Sequence, residues 1–310
     1  MPNYSLKKVL IIGGSGFIGG HLARSYMEDN VEVFITSRYY NIVESEKSIK
    51  SDYSEASFVE ILGSHKFDRV FYLSGNPYPA FSEKNPTYDI EQSIIPVVNL
   101  MLALVKTNFK GSMWFSSSVA VYGKTDREFQ SESDICQPLS SYGIAKIACE
   151  EYLKLFARNY NLSCGSLRIF STFGEGLERQ IVYDLYRKAI SNSDILSLIG
   201  SGREERDLCY VGDQVVRIKL LAERLTPSGD VYNIGSGVSI STHDIAEAIL
   251  SVTGQQKTIM VSNSTRGFDG YQWKACTKKF CDIADNPSTD FLVALEKTIT
   301  SYQKGNRNEL

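Results

Sequence analysis

The clearest hydrophobic pattern in the chain is an unbroken aliphatic run at residues 9–12, followed by glycines at 13, 14, 16, 19 and 20. Such a run is typical of a strand that is buried on both faces of a parallel sheet. Apolar residues then recur at helical spacing over 22–27. The pattern predicts a strand, a tight glycine turn and a helix, whose N-terminus would offer free N–H groups to a pyrophosphate. A turn that holds no ligand is the alternative.

Strand and helix patterns alternate through the first half of the chain and become less regular after Gly174. Strands are predicted at 9–12, 31–35, 69–73, 110–116, 166–170, 207–211 and 231–234. Helices are predicted at 55–63, 89–107, 143–160, 179–191, 243–253 and 290–302. The alternation favours an α/β fold with a Rossmann-like, doubly wound parallel sheet and right-handed crossovers. We expect a dinucleotide-binding domain over 1–174, with return segments near 207–240, and a smaller mixed α/β substrate domain over 175–310.

Composition and charge narrow the function. The chain has 310 residues, is 43% hydrophobic and 22% charged, and carries a net charge of −3, which favours neither nucleic acid nor an anionic membrane. The longest apolar run, 94–105, is too short to span a bilayer, and no signal peptide is evident. The six cysteines contain no CxxC pair, and the three histidines are not at metal-ligand spacing. We therefore expect free thiols, a cytoplasmic protein, no membrane partner and no metal.

The end of the second predicted strand bears on the choice of cofactor. An acidic residue there would accept a hydrogen bond from the adenosine ribose 2′-hydroxyl and repel a 2′-phosphate. Thr36, Ser37 and Arg38 occupy that place instead, so NADP(H) is favoured and NAD(H) is possible. If Arg38 is only a solvated loop cation, another part of the chain sets this choice. Further on, Asp52, next to Tyr53, can accept the adenine amino group or cap the following helix.

A second candidate ligand contact lies where the strand predicted at 69–73 ends. Four residues follow one another there: Leu73, Ser74, Gly75 and Asn76. The carboxyl ends of strands in an open parallel sheet face the ligand crevice. A plain turn is the alternative for these residues.

A third pattern carries candidate chemistry. Tyr142 and Lys146 are four residues apart at a predicted helix start, so both side chains lie on one face. A lysine ammonium near a phenol stabilises the phenolate, which suits the phenol to acid–base work. The same lysine can bind a nicotinamide ribose. Ser118 follows an apolar strand, and its hydroxyl can hold a substrate carbonyl or alcohol beside the tyrosine. An ordinary surface pair and an ordinary serine turn are the alternatives.

These ordered motifs resemble the extended short-chain dehydrogenase/reductase family, in its nucleotide-sugar epimerase, reductase and dehydratase branch, over nearly the whole chain. The resemblance implies that Ser118, Tyr142 and Lys146 are catalytic. The cofactor contacts that it implies are Gly13, Gly16, Phe17, Ile18, Gly19, Ser37, Arg38, Asp52, Tyr53, Leu73, Ser74, Gly75, Ser116, Tyr142, Lys146 and Phe170. The implied substrate contacts are Asn76, Val119, Ser171, Arg206 and Arg266, with the two arginines on the diphosphate.

The chain also departs from the family pattern. Ser171 replaces a common asparagine near the substrate phosphates, Ser93 and Pro96 replace an asparagine and a glycine, and Cys276 stands where an aspartate is frequent. The dehydratases of this branch carry an Asp-Glu pair just after the active hydroxyl. Val119 and Ala120 occupy those places here, which argues against a dehydratase.

The sequence therefore predicts an NAD(P)-dependent enzyme acting on a nucleotide-diphosphate sugar. The preferred interpretation is a 4-keto-sugar reductase that acts at C4 through Ser118, Tyr142 and Lys146. One alternative is a 4-epimerase that recycles a bound NAD. Another, of a different class, is a non-catalytic protein that senses the cofactor. The resemblance implies a homodimer formed through the helices at 89–107 and 143–160.

Overall fold

The computed structural model describes residues 6–37, 47–76, 81, 83–125, 127–262 and 272–307. These residues divide between two compact units. Unit 1 comprises the described residues of Met1–Gly123, Ile135–Ile169 and Ile218–Tyr232. Unit 2 comprises those of Lys124–Asp134, Phe170–Arg217 and Asn233–Leu310. The chain therefore crosses between the two units several times.

The strands, in chain order, are β1 (Lys8–Ile12), β2 (Glu32–Ser37), β3 (Lys47–Lys50), β4 (Arg69–Tyr72), β5 (Ser112–Ser118), β6 (Cys164–Ile169), β7 (Ser171–Phe173), β8 (Ile195–Leu198), β9 (Glu205–Tyr210), β10 (Ser228–Ile234), β11 (Ser239–Ser241), β12 (Thr258–Val261) and β13 (Gln272–Trp273). The helices are α1 (Phe17–Glu28), α2 (Glu55–Ser64), α3 (Pro86–Lys106), α4 (Ser141–Tyr160), α5 (Gln180–Ala189), α6 (Val211–Arg224), α7 (Thr242–Thr253), α8 (Lys278–Cys281) and α9 (Phe291–Arg307).

The largest sheet has seven strands in the order β10-β6-β5-β4-β1-β2-β3. The neighbours from β6 to β3 pair in parallel. Chain order reverses between β1 and β4, which is the point at which sheets of this kind bind ligands. The prediction of a Rossmann-like, doubly wound parallel sheet is confirmed.

The core of unit 1 explains why the first strand is so apolar. Residues 9–12 of β1 are completely buried. Leu10 packs in one cluster with Leu100 of α3 and Leu153 of α4. On the alternate positions of the sheet, Phe71 contacts the ring of Tyr26 in α1, with 5.8 Å between ring centroids. Because helices cover the sheet on both sides, neither set of alternating side chains reaches water.

Unit 2 is built around smaller sheets. Strand β9 pairs antiparallel with β11 and parallel with β13 and β7. A separate parallel pair joins β8 and β12. One apolar cluster packs side chains of α5, α7 and α9 together, including Leu185, Ile249 and Leu295. The prediction of an irregular mixed second half is consistent with these short strands.

Several predicted bounds were wrong. Strand β5 ends at Ser118 rather than at residue 116, so Ser118 is its last residue. Helix α6 was missed, and Val211, expected to end a strand, begins that helix instead. The short strands β3, β7, β8, β11, β12 and β13 were also missed. Each of the missed strands spans only two to four residues, which is too short for a strand pattern to be recognised in the sequence.

Helix α3 contains an irregular turn. It runs as an α-helix over Pro86–Asp89, a π-turn over Ile90–Ile94 and an α-helix over Ile95–Lys106. The wide turn ends just before Pro96, which has no N–H to donate to the preceding turn. Among the described residues, α3 is the one helix whose length and apolar composition would allow it to cross a membrane. Its inner face is buried in the core of unit 1, and a buried core helix can have the same length and apolar composition as a membrane-spanning helix.

Candidate active site

The glycine turn between β1 and α1 forms a backbone cradle. Gly13 has a φ of 85°, and an ideal β-carbon there would lie 2.7 Å from the backbone nitrogen of Ser74. Any side chain at Gly13 would therefore collide with the end of the neighbouring strand β4. Gly16 is the N-cap of α1 and offers no side-chain hydrogen bond to the first turn. The N–H groups of that turn remain available for a dinucleotide pyrophosphate, so the residues present fit this cofactor.

The adenosine end of the predicted cofactor site is described in part. The Gly13 amide donates to the Thr36 carbonyl over 3.4 Å, which brings the end of β2 against the glycine turn. Ser37 is the last residue of β2, and Arg38 lies outside the described residues. Phe17 and Ile18 are half-buried in the first turn of α1.

Asp52 and Tyr53 precede α2, as expected. Ser54, rather than Asp52, caps this helix by accepting a hydrogen bond from the Ser57 amide. The capping alternative for Asp52 is therefore wrong. Its carboxylate accepts the Ser54 amide over 2.9 Å, and this hydrogen bond lowers the pKa of Asp52. Tyr53 places its ring in the core, stacked on Phe58 at 5.7 Å between ring centroids, so a cofactor contact at this residue would involve its backbone.

The segment that follows β4 lies beside Lys146. An ideal β-carbon at Gly75 would be 3.5 Å from Lys146 Nζ and 3.7 Å from Ser93 Oγ. The next residue, Asn76, is buried and donates its side-chain amide to Asp89 Oδ1 over 3.2 Å. No role was predicted for Asp89, which is 1% exposed. Its partner Asn76 is 13 residues away in the chain, and no local pattern joins the two.

Tyr142 and Lys146 lie at the start of α4, as predicted. Lys146 Nζ is 5.4 Å from the centroid of the Tyr142 ring and 4.7 Å from that of Phe115. Lys146 is 3% exposed, and it donates to the carbonyl oxygen of Ser116 over 2.7 Å. Its ammonium group is therefore held between the end of β5 and the tyrosine.

Ser118 lies at the junction between β5 and a short 3₁₀ turn over Val119–Val121. Its hydroxyl oxygen accepts the amide of Ala120 over 3.2 Å. An ideal β-carbon at Gly143 would lie 2.7 Å from the Ala120 carbonyl oxygen. The turn that follows the serine thus packs directly on the residue next to Tyr142, and the structure brings the serine segment and the tyrosine segment together.

A buried ion pair in unit 1 was not predicted from the sequence. Arg168 of β6 donates from Nε and Nη2 to the two carboxylate oxygens of Glu150, over 3.0 and 2.7 Å. The Ser117 hydroxyl joins the same carboxylate over 2.5 Å. Burial acts against the charge on Arg168, but the Glu150 carboxylate outweighs it and raises the pKa of the guanidinium. Glu150 lies two turns beyond Tyr142 on one helix face, which is the signal that could have drawn attention to it.

In unit 2, three predicted residues lie on or beside the β7–β9 pair. Phe170 is 2% exposed, Ser171 pairs with Leu208, and Arg206 is half-buried in β9. The neighbour of Arg206, Asp207, is buried and accepts hydrogen bonds from four donors. These donors are the amides of Ser236, Gly237 and Ala275 and the hydroxyl of Ser236, at 2.6–3.0 Å. These four hydrogen bonds hold β9 in place next to Arg206. Arg266 lies outside the described residues.

Two further predictions concern cysteine and metal chemistry. All six cysteines are free, as predicted.

His243, Asp244 and Glu247 bring possible metal-ligand atoms within 4.8 Å of one another at the start of α7. Asp244 and Glu247 are exposed, and exposed acidic groups are common without a metal.

A phosphate cradle on a Rossmann-like sheet, joined to a buried lysine beside a tyrosine, is the arrangement of a nicotinamide-dependent enzyme. The model of the NAD dependent epimerase/dehydratase family matches residues 9–235. The chain belongs to this family. It is an enzyme of the extended short-chain dehydrogenase/reductase type, in the nucleotide-sugar branch, which confirms the resemblance and leaves the cofactor-sensing alternative without support.

Individual relatives cover most of the chain. A dTDP-4-dehydro-6-deoxyglucose reductase of Escherichia coli is 31% identical over 261 residues, or 78% of this chain and 80% of that protein. The solved UDP-glucose 4-epimerase of Thermotoga maritima, with UDP-glucose, is 25% identical with a TM-score of 0.88. MoeE5, solved with UDP-glucuronic acid and NAD, is 25% identical with a TM-score of 0.86. Each of these two alignments includes 96% of this chain and 99% of the solved chain.

Proposed function

We propose that this enzyme is an NADPH-dependent reductase of nucleotide-diphosphate 4-keto sugars. One observation carries the choice of a reductase. Strand β2 ends in Thr36 and Ser37, with no carboxylate, beside the glycine turn. An acidic residue at this place would repel a 2′-phosphate. The following Arg38 adds a positive charge. NADPH is consumed by reductases, whereas an epimerase recycles its cofactor, so this strand end favours reduction. The 31% identical relative, itself a 4-keto-sugar reductase by name, supports the same conclusion.

Three residues carry the chemistry in this proposal. When bound, NADPH supplies a hydride to the carbonyl carbon C4. Tyr142 donates its phenol proton to the oxygen at C4, so that the ketone becomes an alcohol. Lys146, buried beside the Tyr142 ring, stabilises the phenolate that remains. Ser118 orients the reacting oxygen through its hydroxyl.

Binding roles are assigned to the remaining candidate residues. The cofactor would contact Gly13, Gly16, Phe17, Ile18, Gly19, Ser37, Arg38, Asp52, Tyr53, Leu73, Ser74, Gly75, Ser116 and Phe170. The sugar nucleotide would contact Asn76, Val119, Ser171, Arg206 and Arg266. Arginine suits the diphosphate because its planar fork matches phosphate oxygens. The support for Arg206 is its fixed place in β9, beside the anchored Asp207.

A 4-epimerase is the second candidate function. It is favoured by the structural neighbours, which include a UDP-glucose 4-epimerase and a protein solved with NAD. An epimerase would oxidise and re-reduce the same carbon without net use of cofactor. The same three catalytic residues would serve both directions of hydride transfer.

Turnover of defined substrates separates the two functions. We expect the purified enzyme to oxidise NADPH stoichiometrically with a dTDP- or UDP-4-keto-6-deoxyhexose. The mass of any dinucleotide that copurifies gives a second measurement. Interconversion of UDP-glucose and UDP-galactose without NADPH loss, together with tightly bound NAD, would assign the epimerase instead.

The proposal includes a cytoplasmic homodimer formed through α3 and α4. Both helices carry exposed apolar side chains, among them Ile90 and Ile95 on α3 and Ile144 and Tyr152 on α4. Free cysteines agree with a reducing compartment. Light scattering on the purified protein tests the dimer, and a monomeric mass at assay concentration would contradict it.

A further inference from the structure

Glu150 and Arg168 form a buried pair directly behind the catalytic residues. Their side chains are 1% and 4% exposed. Glu150 lies one turn beyond Lys146 and two turns beyond Tyr142 in α4, so the three share one face of the helix. Arg168 lies in β6 opposite Ser117 of β5. The pair thus joins one helix to two strands.

We propose that Glu150 and Arg168 are positioning residues for hydride and proton transfer, which hold the strand end that carries Ser118 in register with the helix that carries Tyr142 and Lys146. This inference rests on the proposed oxidoreductase chemistry at these three residues. It applies equally to reduction and to epimerisation, since both need the same geometry.

Two neighbouring hydrogen bonds fix the register between β5 and α4. The carbonyl of Ser116 accepts from Lys146 Nζ over 2.7 Å, and the hydroxyl of Ser117 binds the Glu150 carboxylate over 2.5 Å. Two successive residues of the strand are therefore bonded to α4, one through its carbonyl oxygen and the other through its side-chain hydroxyl. Ser118 is the next residue of the strand, so its place relative to α4 is set by both bonds.

The pair also holds the segment that follows Ser118. The Arg168 guanidinium carbon lies 4.8 Å from the centroid of the Tyr122 ring. Tyr122 comes directly after the 3₁₀ turn that begins next to Ser118, and it is 3% exposed. The catalytic serine is consequently bracketed by Ser117 on one side and Tyr122 on the other, and both contact the same ion pair.

Stability alone does not account for a pair at this place. The cost of removing two charges from water largely cancels their attraction, and apolar residues of similar size are often as stabilising. The pair contributes a defined orientation of α4 relative to β6, because a bidentate arginine–carboxylate contact fixes the angle as well as the distance between its partners. A displacement of about 1 Å at reacting groups can cost roughly 100-fold in rate.

The test removes both charges at once, so that neither is left buried alone. We expect the double variant Glu150→Leu/Arg168→Met to fold and to bind NADPH with a Kd within about twofold of the wild type, because the glycine cradle is untouched. Its kcat should fall about 100-fold with little change in KM. A merely structural role would instead reduce folded protein and cofactor affinity together.

The exposed ion pair of Glu151 and Lys154 on the same helix supplies the matched control. The variant Glu151→Gln/Lys154→Met should keep wild-type kcat. All proteins are assayed with NADPH and a dTDP-4-keto-6-deoxyhexose, and with UDP-glucose for epimerisation. If the wild type epimerised UDP-glucose but did not reduce the 4-keto sugar, the reductase proposal would be overturned. The positioning role of Glu150 and Arg168 would then be tested by the epimerisation rates of the variants.

Hydrogen exchange gives a readout that needs no turnover. Backbone amides of 118–122 should exchange about tenfold faster in the Glu150→Leu/Arg168→Met variant than in the wild type, with 8–12 in β1 unchanged. A folded double variant with kcat within threefold of the wild type, or with unchanged exchange over 118–122, would overturn the proposal.

Discussion

The ammonium group of Lys146 donates a 2.7 Å hydrogen bond to the carbonyl oxygen of Ser116, two residues before Ser118 in the same strand. The lysine is thereby fixed between β5 and the Tyr142 ring. Replacing Lys146 with methionine keeps its length and removes its charge. We expect kcat to fall by about 10²- to 10⁴-fold, because the phenolate left after proton transfer loses its stabilising charge. Lys154→Met, on the exposed face of the same helix, should leave steady-state kinetics unchanged, and equal losses in both variants would refute the role of Lys146.

Gly143 allows the start of α4 to approach the turn after Ser118. A β-carbon there would lie 2.7 Å from the Ala120 carbonyl oxygen, so Gly143→Ala should displace one segment from the other. We expect about a 100-fold lower kcat with a lower melting temperature. Gly63→Ala in α2 is the control, since nothing lies within 4 Å of a β-carbon at Gly63. It should raise stability by roughly 0.5–1 kcal/mol, measured by urea unfolding. Wild-type kinetics in Gly143→Ala would contradict the close approach.

Ser37 ends β2 at the predicted adenosine ribose. Ser37→Asp would introduce a carboxylate that repels a 2′-phosphate and accepts a hydrogen bond from a 2′-hydroxyl. The ratio of kcat/KM for NADPH to that for NADH should fall about tenfold or more, which corresponds to roughly 1.4 kcal/mol. Ser37→Asn has a similar shape without the charge and should change the ratio much less. An unchanged ratio in Ser37→Asp would place the selection of the cofactor elsewhere.

We expect the buried thiols of Cys149 and Cys164 to lower the stability of the protein in alkali. Burial raises the pKa of Cys149 and of Cys164 to about 12 each, whereas the pKa of an unfolded thiol is about 8.5. Between these values the folded state keeps protons that the unfolded state loses, so stability falls as pH rises. Each thiol should remove up to roughly 1.4 kcal/mol per pH unit in this window. Urea unfolding at pH 8 and pH 10 measures the loss, which should be smaller in Cys149→Ala/Cys164→Ala. An equal loss in both proteins would exclude Cys149 and Cys164 as its cause.

Local spacing was sufficient to predict part of the fold and site. The apolar run of β1, the glycine turn and the Tyr142–Lys146 pair are each defined by residues close together in the chain. The glycine turn directly follows β1, and Lys146 donates to the Ser116 carbonyl near the end of β5, so both motifs lie at the carboxyl ends of parallel strands. Ser118 was found for the same reason, although its strand was placed two residues early.

Contacts between distant residues could not be predicted in this way. Glu150 and Arg168 are 18 residues apart, and they meet only because α4 packs on β6. Asn76 and Asp89 likewise meet only after α3 has packed on the sheet. Helix α6 is a different case: its buried Val215, Ile218 and Ala222 follow helical spacing, but the helix begins directly after β9, with no intervening turn residue to mark the boundary.

The edge strand β10 has a consequence for how the protein is made. It pairs with β6 in the seven-stranded sheet, although it is formed by Ser228–Ile234. A nascent chain that has emerged only to residue 174 leaves the backbone of β6 without its outer neighbour. Five of the six residues of that strand are buried in the finished protein, and an apolar open edge invites pairing with other chains. Completion of the dinucleotide-binding sheet during synthesis must therefore wait until more than fifty further residues have been translated, and a fragment cut at residue 174 should aggregate when it is expressed alone.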